Sequence, residues 1–246
     1  MASGEEERQG WERFEALRWE EAEQHFRRAL EDDPFRPDAL TGIAALYLKA
    51  GEPEQARELC EMALAQAERD LPRAKRHTGW EDDRIRPYVR ALYYLALTYI
   101  EQDAWALAQP ALEEVVAWDI TGIQGKALDL LGQVLQRINR LEEATHAYLE
   151  AAEYLPESYF SAGLVLFLRG KLREAERFWQ RGIEHRPELA RWLMEFPWVQ
   201  PLPILRPDDE IYNRAVQYID YLGELWTFGA KQALASVFVR QRVSIG

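Results

Sequence analysis

Cysteine is almost absent from this 246-residue chain: Cys60 stands alone, so no internal disulfide framework is available. Histidine is nearly as scarce. His25, His77, His146 and His185 are far apart, and no Cys-x-x-Cys or His-x-x-x-His spacing occurs, so the sequence gives a metal site no support. Long apolar runs are missing as well, none approaching the roughly 18 residues of a membrane span. Neither of the glycine-rich phosphate loops G-x-x-x-x-G-K-[ST] and G-x-G-x-x-G is present, nor is a serine in a G-x-S-x-G turn. These absences predict no cofactor and no enzymatic activity. Basic residues are in deficit, 30 Lys and Arg against 42 Asp and Glu, for a net charge of −12 at pH 7. Such a balance argues against a nucleic-acid footprint and against docking on an anionic membrane surface. The acidic start, MASGEEERQG, lacks the basic-then-apolar layout of a secretory signal, so a cytoplasmic location is expected.

What the chain does contain is repetition. Leu40, Ile43, Ala44, Tyr47, Gly51, Ala56, Cys60 and Ala63 return in the same order as Leu92, Leu95, Ala96, Tyr99, Ala108 and Leu112. They return again as Leu128, Leu131, Gly132, Leu135, Ala144, Tyr148, Ala151 and Pro156, then as Tyr159, Ala162, Gly163, Leu166, Gly170, Ala175, Trp179, Gly182 and Pro187. A weaker first copy is Gly10, Phe14, Ala22, Phe26, Ala29 and Pro34. Each copy reads as helix A, a turn and helix B, with small residues where the two helices approach and a large residue one turn later. Gly51 and Gly170 suit the left-handed position just past helix A, and Pro34, Pro156 and Pro187 close helix B. The helix-B alanines Ala22, Ala56, Ala108, Ala144 and Ala175 are separated by 34, 52, 36 and 31 residues, so an insertion lies between the second and third copies. Cys60 falls at an inward helix-B position and reads as a small core hydrophobe.

A period of about 34 residues with this order of small and aromatic residues resembles the tetratricopeptide pattern. The resemblance implies an all-α, right-handed solenoid of about five helix-turn-helix repeats, spanning residues 1–187. The repeats are placed at about 10–34, 37–70, 86–119, 123–156 and 157–187, with an insertion at 71–85 and residues 1–9 frayed. The remainder, 188–246, reads as an extended proline-rich segment (Phe196 to Pro203) followed by a capping helix pair. Asp208 or Asp209 would cap the first of these helices, running to about Trp226, and the second would cover about 228–240.

In this repeat family the inner face is built from the second, fifth, ninth, twelfth and thirteenth positions of helix A. Repeat 2 places Asp38, Thr41, Ala45, Leu48 and Lys49 there; repeat 3 places Arg90, Tyr93, Leu97, Ile100 and Glu101. Repeat 4 contributes Lys126, Asp129, Gln133, Gln136 and Arg137, and repeat 5 contributes Glu157, Phe160, Leu164, Phe167 and Leu168. Arg90, Lys126 and Arg137, beside Tyr93, Leu97, Asp129 and Gln133, would grip a carboxylate or an acidic peptide by charge-assisted hydrogen bonds. The alternative is ordinary ion pairing with Asp129 and Glu101. The members of the family that hold chaperone C-termini use a fixed basic and amide set. At those positions this chain has Thr41, Ala45, Tyr94, Lys126 and Leu130, and only Lys126 matches, so that ligand is not expected. The apolar set Phe160, Leu164, Phe167 and Leu168 is expected to be covered by the chain's own tail (Trp192, Leu193, Phe196, Trp198, Val199, Leu202 and Ile204), or else by a partner or a second copy. The basic run Arg73, Lys75, Arg76 and His77 reads as a solvated loop pinned by Trp80.

Three segments carry a narrower resemblance: His77 to Ala91, the turn Asp119-Ile-Thr-Gly-Ile-Gln-Gly125, and Ala215 to Trp226 followed by Gly229-Ala230. They resemble bacterial tetratricopeptide-repeat proteins, some of which append a cysteine-rich SEC-C zinc segment that is not seen here. The function these resemblances imply is a cytoplasmic protein-binding adaptor that holds a peptide or helix of a protein partner. The rivals are a self-assembling homo-oligomeric scaffold using the repeat 5 face or the tail, and, more distantly, an RNA-binding helical-repeat protein.

Overall fold

The computed structural model describes residues 2–71, 85–118, 122–195, 204–206 and 209–243. Among them are thirteen α-helices, one 3-10 turn and no strand. The basic run at 73–77, Trp80, and Phe196, Trp198, Val199 and Leu202 lie outside the described residues. The helices pair as α1 (Ala2–Glu15) with α2 (Trp19–Asp32), α3 (Pro37–Lys49) with α4 (Pro53–Asp70), and α5 (Ile85–Glu101) with α6 (Trp105–Ala117). They continue as α7 (Gln124–Arg137) with α8 (Leu141–Ala151), and α9 (Ser158–Leu168) with α10 (Leu172–His185). Then come α11 (Pro187–Glu195), α12 (Glu210–Leu222), the 3-10 turn Gly223–Leu225 and α13 (Phe228–Val243). No helix of the described residues is long and apolar enough to cross a membrane. The chain is an all-α helical-repeat solenoid whose residues cluster into two compact units, Met1–Ala127 and Leu128–Gly246.

One turn geometry is used in all five helix pairs. The residue just past helix A has positive φ in every case: Leu17 (59°), Gly51 (76°), Asp103 (56°), Asn139 (63°) and Gly170 (75°). Each sits five residues before the helix-B alanine of its own repeat. Around it the amide of the following residue reaches back across the turn: Arg18 to Arg13 (2.8 Å), Glu52 to Tyr47 (2.9 Å) and Ala104 to Tyr99 (2.8 Å). The last two are Arg140 to Leu135 (2.8 Å) and Lys171 to Leu166 (2.9 Å). This six-to-one bond is the Schellman closure, which satisfies carbonyls that the end of the helix leaves bare. Glycine signals it at two sites only. Elsewhere the closure is kept with Asn, Asp and even Leu, a side chain that rarely enters the left-handed region.

Packing within a repeat follows a rule of complementary size. In helix A of repeats 1, 4 and 5 the close-approach residue is Gly10, Gly132 or Gly163, and helix B supplies Phe26, Tyr148 or Trp179 against it. A Cβ on any of these glycines would come within 2.3–2.7 Å of the facing ring. In repeats 2 and 3 the glycine becomes Ala44 or Ala96, and the helix-B residue at the equivalent position shrinks to Cys60 or Leu112, all of them buried. A ring on helix B faces a glycine and a smaller side chain faces an alanine, as close packing requires. Cys60 is therefore a core residue, and burial pushes its thiol pKa well above the usual range.

Two segments differ from expectation. Residues expected to be frayed are helical from Ala2, because the first turns of α1 are anchored to later elements. Glu7 is buried against Arg36, and His25 Nδ1 donates to Glu6 Oε2 at 2.7 Å. The second is Pro187. It lies beyond α10, yet it opens α11 at the position where its fixed φ and missing N–H suit a helix start. Leu189, Ala190 and Leu193 of α11 are buried. Further on, the side chain of Asp209 accepts from the Tyr212 amide at 3.0 Å and caps α12.

Candidate peptide-binding faces

In unit 1 the inner face of α3 is made of short side chains, Asp38, Thr41 and Ala45, all buried. Larger groups from α1 and α5 lie against them. The Trp11 ring centre is 5.2 Å from that of Phe26 and 5.5 Å from that of Tyr94. Over the same indole, at 4.1 Å, sits the Arg90 guanidinium, whose Nη1 donates to both carboxylate oxygens of Asp38 at 2.6 and 2.7 Å. Beside this arrangement opens a cleft of about 850 Å³, lined by Arg8, Phe35, Arg36, Asp38, Arg86 and Arg90 among others. Its charges are organised: Arg36 holds Glu7, and Arg8 holds Glu5 and Glu12. Burial raises the Glu7 carboxyl above the usual carboxylate range, the Arg36 hydrogen bond pulls it back, and the charge of Asp38 raises it again.

Arg90 was expected to reach a ligand, and the structure instead commits it to Asp38 and Trp11. Tyr93 is half-buried, edge-to-face with Tyr94 at 5.6 Å, and Leu97 is half-buried one helical turn further along α5. Lys126 is exposed. Trp11 was not among the expected contacts. It directly follows Gly10, so it occupies the ninth repeat position, and the weakness of the first copy hid that register.

In unit 2, α7 supplies Asp129, Gln133 and Arg137, and α9 supplies Phe160, Leu164, Phe167 and Leu168. Phe160 and Leu164 are fully buried, Phe167 stands 5.9 Å from Trp179, and only Leu168 is exposed. The cover is α12 with the 3-10 turn behind it. Ala215, Tyr218, Ile219, Leu222 and Trp226 share a core cluster with Phe160, Leu164 and Trp179. Ser161 Oγ donates to the Tyr218 hydroxyl at 2.9 Å, Arg214 lies 3.8 Å from the Glu157 carboxylate, and Arg137 is paired with Glu224. Of the residues expected to cover this face, Leu193 and Trp192 join the cluster, but Ile204 is 88% exposed. Gln133, expected at a ligand, is instead buried, and Arg137 is paired with Glu224 of the 3-10 turn.

Asp129 is the chemically unusual member. Its Oδ1 accepts from Ser158 Oγ at 2.5 Å. Burial pushes its pKa up to about 7, against which the Ser158 hydrogen bond works, while the nearby Glu157 charge adds to the rise. An acid whose pKa is higher folded than unfolded holds its proton better in the native state. Its contribution to stability is therefore full at low pH and lost as pH climbs from about 4 to about 7. Urea titrations at pH 5 and pH 7.5 should show unit 2 losing stability on this account, by at least the ~1.4 kcal/mol of a single pKa unit. Asp129→Asn should remove that loss; an unchanged pH slope in the variant would refute the assignment.

Among the described residues no group of three or more His, Cys, Asp or Glu side chains is placed to hold a metal ion. Family models described as tetratricopeptide repeat match residues 13–76 and 90–117. Solved structures with the same fold include PilF of Pseudomonas aeruginosa, at TM-score 0.63 and 18% identity over 96% of this chain and 97% of that one. MamA is similar at TM-score 0.55 and 19% identity, over 74% of this chain and 96% of its own. YrrB, described as a tetratricopeptide-repeat protein with an unusual peptide-binding site, is similar at TM-score 0.52 and 18% identity, over 73% and 84% of the two chains. At such identities the likeness speaks to fold alone. The tetratricopeptide-repeat models match stretches within the first three of five helix pairs, and one turn geometry closes all five.

Proposed function

We propose that this chain is a non-enzymatic, cytoplasmic protein-binding scaffold that holds a peptide or helix of a partner on the inner face of unit 1. The observation that carries the reading is the cleft of about 850 Å³ beside α1, α3 and α5, within the size range of ligand sites. Its wall is already ordered by the Arg90–Asp38 and Arg36–Glu7 pairs, so a ligand meets a preformed surface and little ordering cost is left to binding. Phe35, Gln66 and Arg86 line it, Tyr93 and Leu97 lie further along α5, and Lys126 is an exposed cation in the same unit. YrrB's peptide-binding site supports the class of ligand by analogy.

The test is a random-peptide display against the purified chain, followed by titration of recovered peptides. Phe35→Glu and Arg86→Glu should each weaken a recovered peptide by tenfold or more while the circular dichroism stays unchanged. Peptides that bind equally to wild type and both variants would remove the cleft from the reading. The second reading is self-assembly, favoured by Phe228 and Val239 of α13, which are 76% and 60% exposed. A mass that rises with concentration, and falls back in Phe228→Ser/Val239→Ser, would support it; a monomer at every concentration would end it.

A further inference from the structure

In unit 2 the inner face of α7 and α9 already holds a helix, and the chemistry of that helix is specific. We propose that this face is a receptor groove for an amphipathic helix bearing a cation and, one turn later, a tyrosine, and that α12 occupies it as a competing ligand supplied by the chain itself. The groove floor is apolar, with Phe160 and Leu164 fully buried, and its rim is polar: the Glu157 carboxylate, the Ser161 hydroxyl, and Arg137 at the end of α7. α12 answers each of these from one side. Arg214 faces Glu157 at 3.8 Å, Tyr218 four residues on meets Ser161 at 2.9 Å, and Glu224 beyond the last turn pairs with Arg137. Ala215, Ile219 and Leu222, from the same side of α12, are buried in the core cluster that includes Phe160 and Leu164. Residues spaced by three and four share one face of a helix, so the set works as a unit and any helix with the same spacing satisfies it.

The fit of α12 is incomplete in a way that suits a displaceable ligand. Glu157 is more than nine-tenths buried, yet its Oε2 accepts no hydrogen bond; Arg186 Nε stands 3.6 Å from that oxygen, and Arg214 stands 3.8 Å from Oε1. A buried carboxylate oxygen so served is a feature that a better-placed donor on an incoming helix would improve. Across the helix Gln217 and Asp220 are exposed, and Ile211, in the first turn of the docked side, is 58% exposed. A ligand helix that brings the same side chains must first displace it. The apparent affinity of the groove is then lowered by the fraction of time that α12 is docked. This goes beyond the reading of unit 1, since the groove, the ligand chemistry and the competitor all lie in unit 2.

The probe is a labelled peptide of residues 209–227, titrated by fluorescence anisotropy against the full-length chain. Arg214→Glu/Tyr218→Ala in the chain weakens its own α12 and leaves the groove intact, so the wild-type peptide should bind that variant at least tenfold more tightly than it binds the unaltered chain. Adding Glu157→Gln to the loosened chain should cost the peptide most of that gain. Equal affinity for the unaltered and loosened chains, or no binding to either, overturns the proposal. Hydrogen exchange on the unaltered chain covers the case in which the loosened variant fails to fold. The α12 amides should exchange through a local opening that leaves α9 protected, and exchange of α12 and α9 together, with one protection level, would make α12 part of the core and defeat the idea.

Discussion

Gly163→Ala is expected to destabilise unit 2 by about 3 kcal/mol, the upper part of the range for one extra carbon forced into a packed core. The added Cβ would lie 2.3 Å from Trp179 Nε1 and 2.4 Å from its Cδ1. The indole has no room to retreat. Its Nε1 donates to the Phe160 carbonyl at 3.2 Å, and its ring lies between those of Phe167 at 5.9 Å and Trp226 at 5.7 Å. The size rule supplies a control inside the molecule. Repeat 3 solves the same contact with Ala96 and Leu112, so Gly163→Ala in a Trp179→Leu background should cost much less than in the wild-type chain. Equilibrium unfolding of the four members of this cycle measures the coupling. A Gly163→Ala variant within ~0.5 kcal/mol of wild type, the usual effect of a surface change, would show that the indole moves aside and that the rule has no energetic content.

Arg90→Ala is expected to cost unit 1 about 3–5 kcal/mol, the typical penalty for removing one partner of a buried pair. The side chains of Arg90 and Asp38 are 12% and 9% exposed, so the carboxylate left behind stays enclosed without its guanidinium. Loss of the cation from the face of the Trp11 indole adds to the effect. Replacing both partners together, as Arg90→Met/Asp38→Leu, should be far milder than either single change, because no buried charge is then stranded. A thermal melt in which Arg90→Ala unfolds with wild-type stability would return Arg90 to the role of a surface cation. The distinction matters for any binding study: a charge reversal at Arg90 is expected to unfold the unit that it was meant to probe.

The two cases show how far local pattern reaches. The recurrence of Ala22, Ala56, Ala108, Ala144 and Ala175 was legible because a solenoid repeats its packing problem, and one answer to it is written five times along the chain. Asp209 was readable as a helix cap for a similar reason, since its hydrogen bond to Tyr212 spans three residues. The turns after helix A were half legible. Gly51 and Gly170 announce a left-handed residue, but Leu17 and Asp103 adopt the same conformation because the surrounding repeat imposes it. Pro187 serves two roles of which one was legible: α10 ends before it, as expected, and the same proline opens α11, whose Leu189, Ala190 and Leu193 are buried.

The candidate contacts were less readable than the fold. Arg90, Gln133 and Arg137 occupy inner-face positions by register, as counted, yet register says nothing about what else lies on that face. Arg90 is spent on Asp38, 52 residues away, and Arg137 on Glu224, 87 residues away. The sequence alone determined a repeat architecture, its helix pairs and the inward side of each, because those depend on residues within one or two turns of one another. The tertiary structure alone decided which inner faces are filled and by whom. That outcome rests on pairs such as Ser161 with Tyr218, whose meeting is set by the path of the intervening chain and not by any local preference.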